Sequence, residues 1–233
     1  MKKNFMMRAA SVLLVAVMLT TCAISGTFAK YVTADEGSDT ARVAKFGVQI
    51  AAKDFDMFAP EYDTTDKAKF SGEKSVSSDN GDDLLAPGTS GSFGNIAITG
   101  TPEVAVEVAI VPTVAITGDW IVDGDFYCPV VVKVNDATFY GCDYGSAESF
   151  ATAIADNIKA KSAVYAAKTD LSAIYNTENL DISWAWAFEK NGEVLGVTCS
   201  KNDDVKDTKL GDRAVAKDLE IFIGVDITVT QID

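Results

Sequence analysis

Leu219-Glu220-Ile221-Phe222-Ile223-Gly224-Val225-Asp226-Ile227-Thr228-Val229-Thr230-Gln231 carries an apolar side chain at every odd position from 219 to 229. Glu220, Asp226, Thr228 and Thr230 fall between them, so the period is two and one face is buried, as in a half-buried β-strand. The spacing predicts one long strand ending close to Gln231. Further in, Val104, Val106, Val108 and Ile110 alternate with Ala105, Glu107 and Ala109, and Pro112 is expected to interrupt that ladder with a bulge or edge before a half-strand at 114–116. Ile182, Trp184, Trp186 and Phe188 share one face while Ser183, Ala185 and Ala187 share the other. Shorter strands are expected at 44–50, 91–99, 130–134 and 138–140, with Asn135-Asp136 and Asn191-Gly192 as hairpin turns. The chain is therefore expected to be all-β, with antiparallel pairing.

One segment breaks the pattern. From Ser146 to about Lys168 the chain is rich in Ala, Lys and Glu, with Phe150, Ile154 and Ile158 spaced by four, which predicts an amphipathic helix. Ser146 suits the N-cap, and Glu148 sits in the first turn, where the helix dipole favours an anion. A second short helical turn is expected at 171–175. The stretch 54–83, poor in apolar residues and crowded with Asp, Lys, Ser and Gly, reads as a long surface loop. No repeat or linker divides the chain, so residues 44–233 read as a single domain with a helical insertion at about 146–176.

The N-terminus reads as an export signal. Lys2, Lys3 and Arg8 precede an uncharged apolar stretch at 9–24, and Gly26-Thr27-Phe28-Ala29 offers a small residue at a cleavage site between Ala29 and Lys30. A retained membrane anchor is the competing reading, because the apolar run approaches the ~18 residues of a spanning helix. Ser11, Thr20, Thr21 and Ser25 argue against it, and the Thr before Cys22 argues against lipid attachment. No membrane span is expected after processing. The formal charge is −14 for the whole chain and becomes more negative once that basic segment is removed. Such a surface repels phosphate backbones, so nucleic acid is not an expected partner. Three cysteines would remain, an odd number that cannot form a complete disulfide framework. Cys128 and Cys142 are the pair expected if a bridge forms, and buried free thiols are the alternative.

Histidine is absent from all 233 residues. This excludes zinc proteases of the H-E-x-x-H type and triads with an imidazole base. Ser/Lys hydrolysis and carboxylate-pair glycoside hydrolysis remain chemically open, yet no particular pair stands out and the 34 acidic residues read as solvated charge. No catalytic residue and no resident cofactor is expected. Calcium is the one cation for which oxygen-rich turns exist: Asp79-Asn80-Gly81-Asp82-Asp83, Asp119 with Asp123-Gly124-Asp125, and Asn202-Asp203-Asp204. None has the ligand spacing of an EF-hand loop, and ordinary turn chemistry explains all three. The Trp184, Trp186 and Phe188 stripe offers two readings, a sugar-stacking platform or core packing, and alternation with small residues favours the core.

Three landmarks resemble the TasA/camelysin family of exported Gram-positive proteins, whose precursors are cut by a SipW-type signal peptidase. They are Gly26-Thr27-Phe28-Ala29 followed by Lys30-Tyr31, the turn Leu85-Ala86-Pro87-Gly88, and Asp226-Ile227-Thr228-Val229-Thr230-Gln231. The wording from Ala41 to Val48 is also similar to the opening of many members. The resemblance implies a jelly-roll-like antiparallel β sandwich, secreted to the cell surface or extracellular matrix, that polymerises with itself into biofilm matrix fibres alongside other matrix components. It also implies that the mature N-terminal segment, 30–43, is lent to a neighbouring subunit's sheet. Tyr31, Val32, Thr33, Ala41 and Val43 would then belong to the polymerisation segment, and residues 44–50 would open the domain's own first strand. Camelysins have been classed as metallopeptidases, an activity hard to carry over to a chain without histidine. The alternative function is a monomeric surface adhesin or carbohydrate-binding module.

Overall fold

The computed structural model describes residues 42–52, 57–63, 74–93, 96–177, 180–214 and 219–232. In chain order the strands are β1 (Gln49–Ala52), β2 (Glu61–Tyr62), β3 (Val76–Ser77), β4 (Ser90–Phe93), β5 (Ile96–Thr99), β6 (Val106–Thr117), β7 (Ile121–Val122), β8 (Asp125–Phe126), β9 (Val130–Val134) and β10 (Ala137–Tyr140). A 3-10 turn, Gly141–Asp143, then leads to helix α1 (Ala147–Lys159), β11 (Ala163–Tyr165), α2 (Leu171–Thr177), β12 (Ile182–Trp186), β13 (Glu193–Val194), β14 (Val197–Thr198), α3 (Asp204–Ala214) and β15 (Glu220–Gln231). The fold is predominantly β, and every strand pairing is antiparallel among the described residues.

Two sheets share the core. One has the order β10-β9-β12-β4, the other β11-β6-β15. The longest pairing joins β15 to β6 over twelve residues, from Glu220 opposite Thr117 to Gln231 opposite Val106. Period-two patterning places Ile221 and Ile223 inside together with Val106, Val108, Ile110 and Ile116. From the other sheet come Val130, Val132 and Val134, with Ile182, Trp184 and Trp186 in register opposite them. The reverse face of that sheet is lined by small or slender side chains, Val131 and Ala187, which meet Tyr140 and Cys199 in a second cluster.

Helix α1 closes this core through Phe150, Ile154 and Ile158, all fully buried. Burying each such side chain contributes roughly 1.5–3 kcal/mol. Ser146 caps the helix, its Oγ accepting from the Ser149 N–H at 3.1 Å. The helix ends at Lys159, well short of Lys168, because Ser162 turns the chain into β11: its Oγ accepts from the Ile110 N–H at 2.9 Å. The expected insertion is therefore not wholly helical, since β11 adds a strand to the β6 edge inside it.

Pro112 does not interrupt β6. Ile110 points its N–H toward Ser162, on the β11 side, and Pro112 has the same parity. The pairing with β11 stops at Val108, so no partner strand on that side asks Pro112 for a donor. The strand expected over 44–50 is also shifted, to Gln49–Ala52. Gly47 adopts φ +52 and breaks the alternation of Ala44, Phe46, Val48 and Ile50, while Lys45 is held instead by backbone hydrogen bonding with Glu103. The expected strand over 91–99 divides into β4 and β5, which pair in different sheets. Asn135 takes the expected left-handed turn conformation, φ 51, between β9 and β10. At Asn191-Gly192 the chain also turns, but the β13–β14 hairpin closes one turn later, at Leu195 and Gly196.

Candidate assembly edge

The last strand borders its sheet. Among the described residues nothing pairs with the side of β15 opposite β6. The direction of its main-chain groups follows from Ile110, whose N–H and C=O both face Ser162 and so turn away from β15. Ile227, its cross-strand partner, must likewise turn its own pair away from β6. By the two-residue period, the N–H and C=O groups of Ile221, Ile223, Val225 and Val229 also face the open edge. Consistently, Ile232, of the opposite parity, donates its N–H to the Ala105 carbonyl on the β6 side at 3.0 Å. The edge thus presents a regular row of donors and acceptors, the backbone requirement for adding a strand.

A groove of about 780 Å³ runs along residues 219–225 of this edge. Its far wall is built by Met57, Phe58, Asp82, Asp83, Leu84 and Leu85. That wall is not a structureless loop, as the composition of 54–83 suggested: Ala59 bridges Leu84, and β2 pairs with β3. It is fastened to the core through Trp184, whose ring lies 5.1 Å from Phe58 and edge-on to Tyr62 at 6.1 Å. Gly91 makes the fastening sterically feasible, because a Cβ there would stand 1.9 Å from the Met57 carbonyl oxygen. The lining residues are mainly apolar, with the carboxylates of Asp82, Asp83 and Glu220 among them. Strand addition is what the arrangement can do chemically.

Ala29, Lys30, Tyr31, Val32, Thr33 and Ala41 lie outside the described residues. Val43 is described and 93% exposed. Residues 42–48 have no regular secondary structure before β1 begins. Trp184 and Trp186 are core residues, and only Phe188, beyond the end of β12 and 68% exposed, leaves their line. Cys128, Cys142 and Cys199 carry free thiols. Burial pushes the Cys142 thiol up to about 11 and Cys128 higher still.

The acidic turns make hydrogen bonds and ion pairs within the fold. Asp203 caps α3, its Oδ1 accepting from the N–H groups of Val205 at 3.0 Å and Lys206 at 3.2 Å. Asp123 pairs with Lys209 at 2.5 Å and Asp119 with Arg213 at 3.5 Å, which ties the β7–β8 hairpin to α3. Ser78 Oγ accepts from the N–H groups of Asn80 and Asp82. Among the described residues, no three acidic or thiol side chains converge as a metal-holding group.

Helix α3 has too little apolar content to show a period in the sequence: Leu210 is the one fully buried hydrophobe among its described side chains. Polar contacts anchor it. Tyr127 donates to Asp207 Oδ1 at 2.6 Å, and Tyr140 donates to Asn202 Oδ1 at 2.6 Å just before the helix. Burial pushes the Asp207 carboxyl above its ordinary range and the Tyr127 and Tyr140 hydroxyls well above theirs. Asp-rich sequence ahead of a Lys-containing stretch was the available signal, and it reads equally well as a loop.

No protein-family model matches the chain, and no curated protein or solved structure matches it either.

Proposed function

We propose that this chain is an exported structural subunit of extracellular matrix fibres, a jelly-roll-like β sandwich that assembles head to tail. The observation that carries the reading is the β15 edge, which no described residue pairs, with a groove along Leu219 to Val225. In the proposed assembly, residues 30–43 of one copy lie in that groove on the next. The main chain of the incoming strand satisfies the outward pairs at 221, 223 and 225, each hydrogen bond contributing about 0.5–1.5 kcal/mol net. Apolar side chains of the segment, Tyr31 and Val32 or Ala41 and Val43, fill the space beside Leu84, Leu85 and Phe222. A segment of this length exceeds the seven-residue groove, and among the described residues the first strand of the body that follows it begins at Gln49. Export supplies the timing, since cleavage between Ala29 and Lys30 frees the segment outside the cell. A contact between unlike surfaces propagates as a filament and does not close on itself. The TasA/camelysin resemblance and its SipW-type processing agree with this reading.

The test is negative-stain microscopy of chains beginning at Lys30 and at Ala44. Filaments are expected from the first and single particles from the second. Single particles from both, across salt and concentration, would remove the fibre reading. Filaments from both would leave a fibre but discard the donated segment.

A further inference from the structure

We propose that Cys128 and Cys142 form a latent cross-link, a pair of thiols that oxidises to a disulfide stapling the open end of the β9–β10 hairpin. The cross-link adjoins the β10-β9-β12-β4 sheet and does not involve the β15 edge. Two strands of this hairpin are tied at one end by the Asn135 turn, while at the other end the chain enters through Cys128 and leaves through Cys142. Three observations bring the two residues together. Cys142 Sγ lies 3.2 Å from the Cys128 carbonyl oxygen. Gly141, next to Cys142, passes so close that a Cβ on it would stand 2.9 Å from both Cys128 Cβ and Cys128 Sγ. The 3-10 turn that carries Cys142 is itself held in place, because Lys201 Nζ donates to the Cys142 carbonyl at 3.2 Å and to Asp143 Oδ1 at 2.7 Å. A disulfide needs Cα atoms about 4.4–6.8 Å apart, and a backbone approach of this kind permits that separation. Cys199 belongs to the cluster on the reverse face of the sheet, against which Cys142 also packs, but its Sγ faces the carbonyl of Val197 at 3.9 Å.

The oxidant is a low-molecular-weight disulfide, such as oxidised glutathione. Cys142, the less buried of the two, attacks one sulfur of that disulfide as its thiolate, releasing one small thiol and leaving a mixed disulfide. Cys128 then loses its proton and attacks the Cys142 sulfur, which releases the second small thiol. The protein loses two hydrogens, and the small disulfide is reduced to two thiols.

The experiment is to equilibrate the full chain during refolding in a reduced and oxidised glutathione buffer, alkylate the remaining thiols, and map the peptides by mass spectrometry. The expected result is a Cys128–Cys142 linked peptide with Cys22 and Cys199 alkylated. The bridged form should melt about 6–12 °C above the reduced one, from the loop-closure and size scalings. That increment should vanish in Cys142→Ser and persist in Cys199→Ser. A bridge that includes Cys199, or full alkylation of all four cysteines after equilibration, overturns the proposal.

Discussion

The indole N–H of Trp184 donates to the carbonyl oxygen of Met57 at 2.7 Å, joining a core strand to a segment 127 residues earlier in the chain. Together with the ring contacts to Phe58 and Tyr62, this hydrogen bond couples the interior to the outer wall of the groove, since Met57 and Phe58 line that groove. Replacing Trp184 by Phe keeps an aromatic ring but leaves the Met57 carbonyl without its donor and opens space in a closely packed site. The expected loss is about 2–4 kcal/mol. Chemical denaturation measures it, and a loss below about 0.5 kcal/mol would mean that contacts other than this hydrogen bond hold the wall.

Gly91 tests the same wall from the backbone side. In Gly91→Ala the added methyl meets the Met57 carbonyl, so the wall must move outward or β4 must retreat from it. Overpacking of this kind destabilises by about 1–3 kcal/mol. The second readout is limited proteolysis, with cleavage expected to increase within 57–63 before the rest of the chain is cut. Because both residues act on Met57, the double variant Gly91→Ala with Trp184→Phe should lose less than the sum of the single variants.

Asp207 makes the docking of α3 dependent on pH. Burial raises its carboxyl above the ordinary value, against the hydrogen bonding that lowers it. A raised folded-state value means that the protonated form fits the fold better. Its contribution is therefore fully present below the unfolded carboxylate range, near 3.8, and is lost as pH rises through the folded value. Asp207→Asn removes this titration. The difference in Tm between the variant and the parent should move in favour of Asn between about pH 4 and pH 7. A difference that moves toward Asp over that range would show that hydrogen bonding from Tyr127, and not desolvation, dominates.

Local pattern accounts for the elements that sequence reading placed well. The β15 alternation, the Asn135 turn and the Ser146 cap are each decided within a few residues, by side-chain period, left-handed backbone and capping chemistry. Most of the misplaced elements were decided elsewhere in the chain. Pro112 stays inside β6 because β11 stops short of it, and β11 is a three-residue pairing with β6 flanked by the Ser162 contact to Ile110. Gly47 ends the apparent first strand by a conformation that no alternation reveals. The groove was illegible for the same reason: strand order decides which strand is an edge, and the far wall comes from a segment whose composition looked like open loop.

Parity along β15 gives the sharpest separation between folding and assembly. Val225 turns its N–H to the open edge, whereas Asp226 turns its own toward β6 and pairs with Val111. A proline at 225 therefore removes a donor for which no described strand supplies an acceptor, and Gly224 before it tolerates the restriction that proline imposes on its neighbour. A proline at 226 removes a ladder hydrogen bond from the longest strand pairing. Val225→Pro should keep most of its thermal stability, within about 1–2 kcal/mol for trimming a half-buried side chain, and yet fail to elongate filaments. Asp226→Pro should lose about 3 kcal/mol or more and fail by unfolding. Circular dichroism melts alongside filament counts distinguish the two. Val225→Pro chains that fold and still elongate normally would place the intersubunit contact away from this edge.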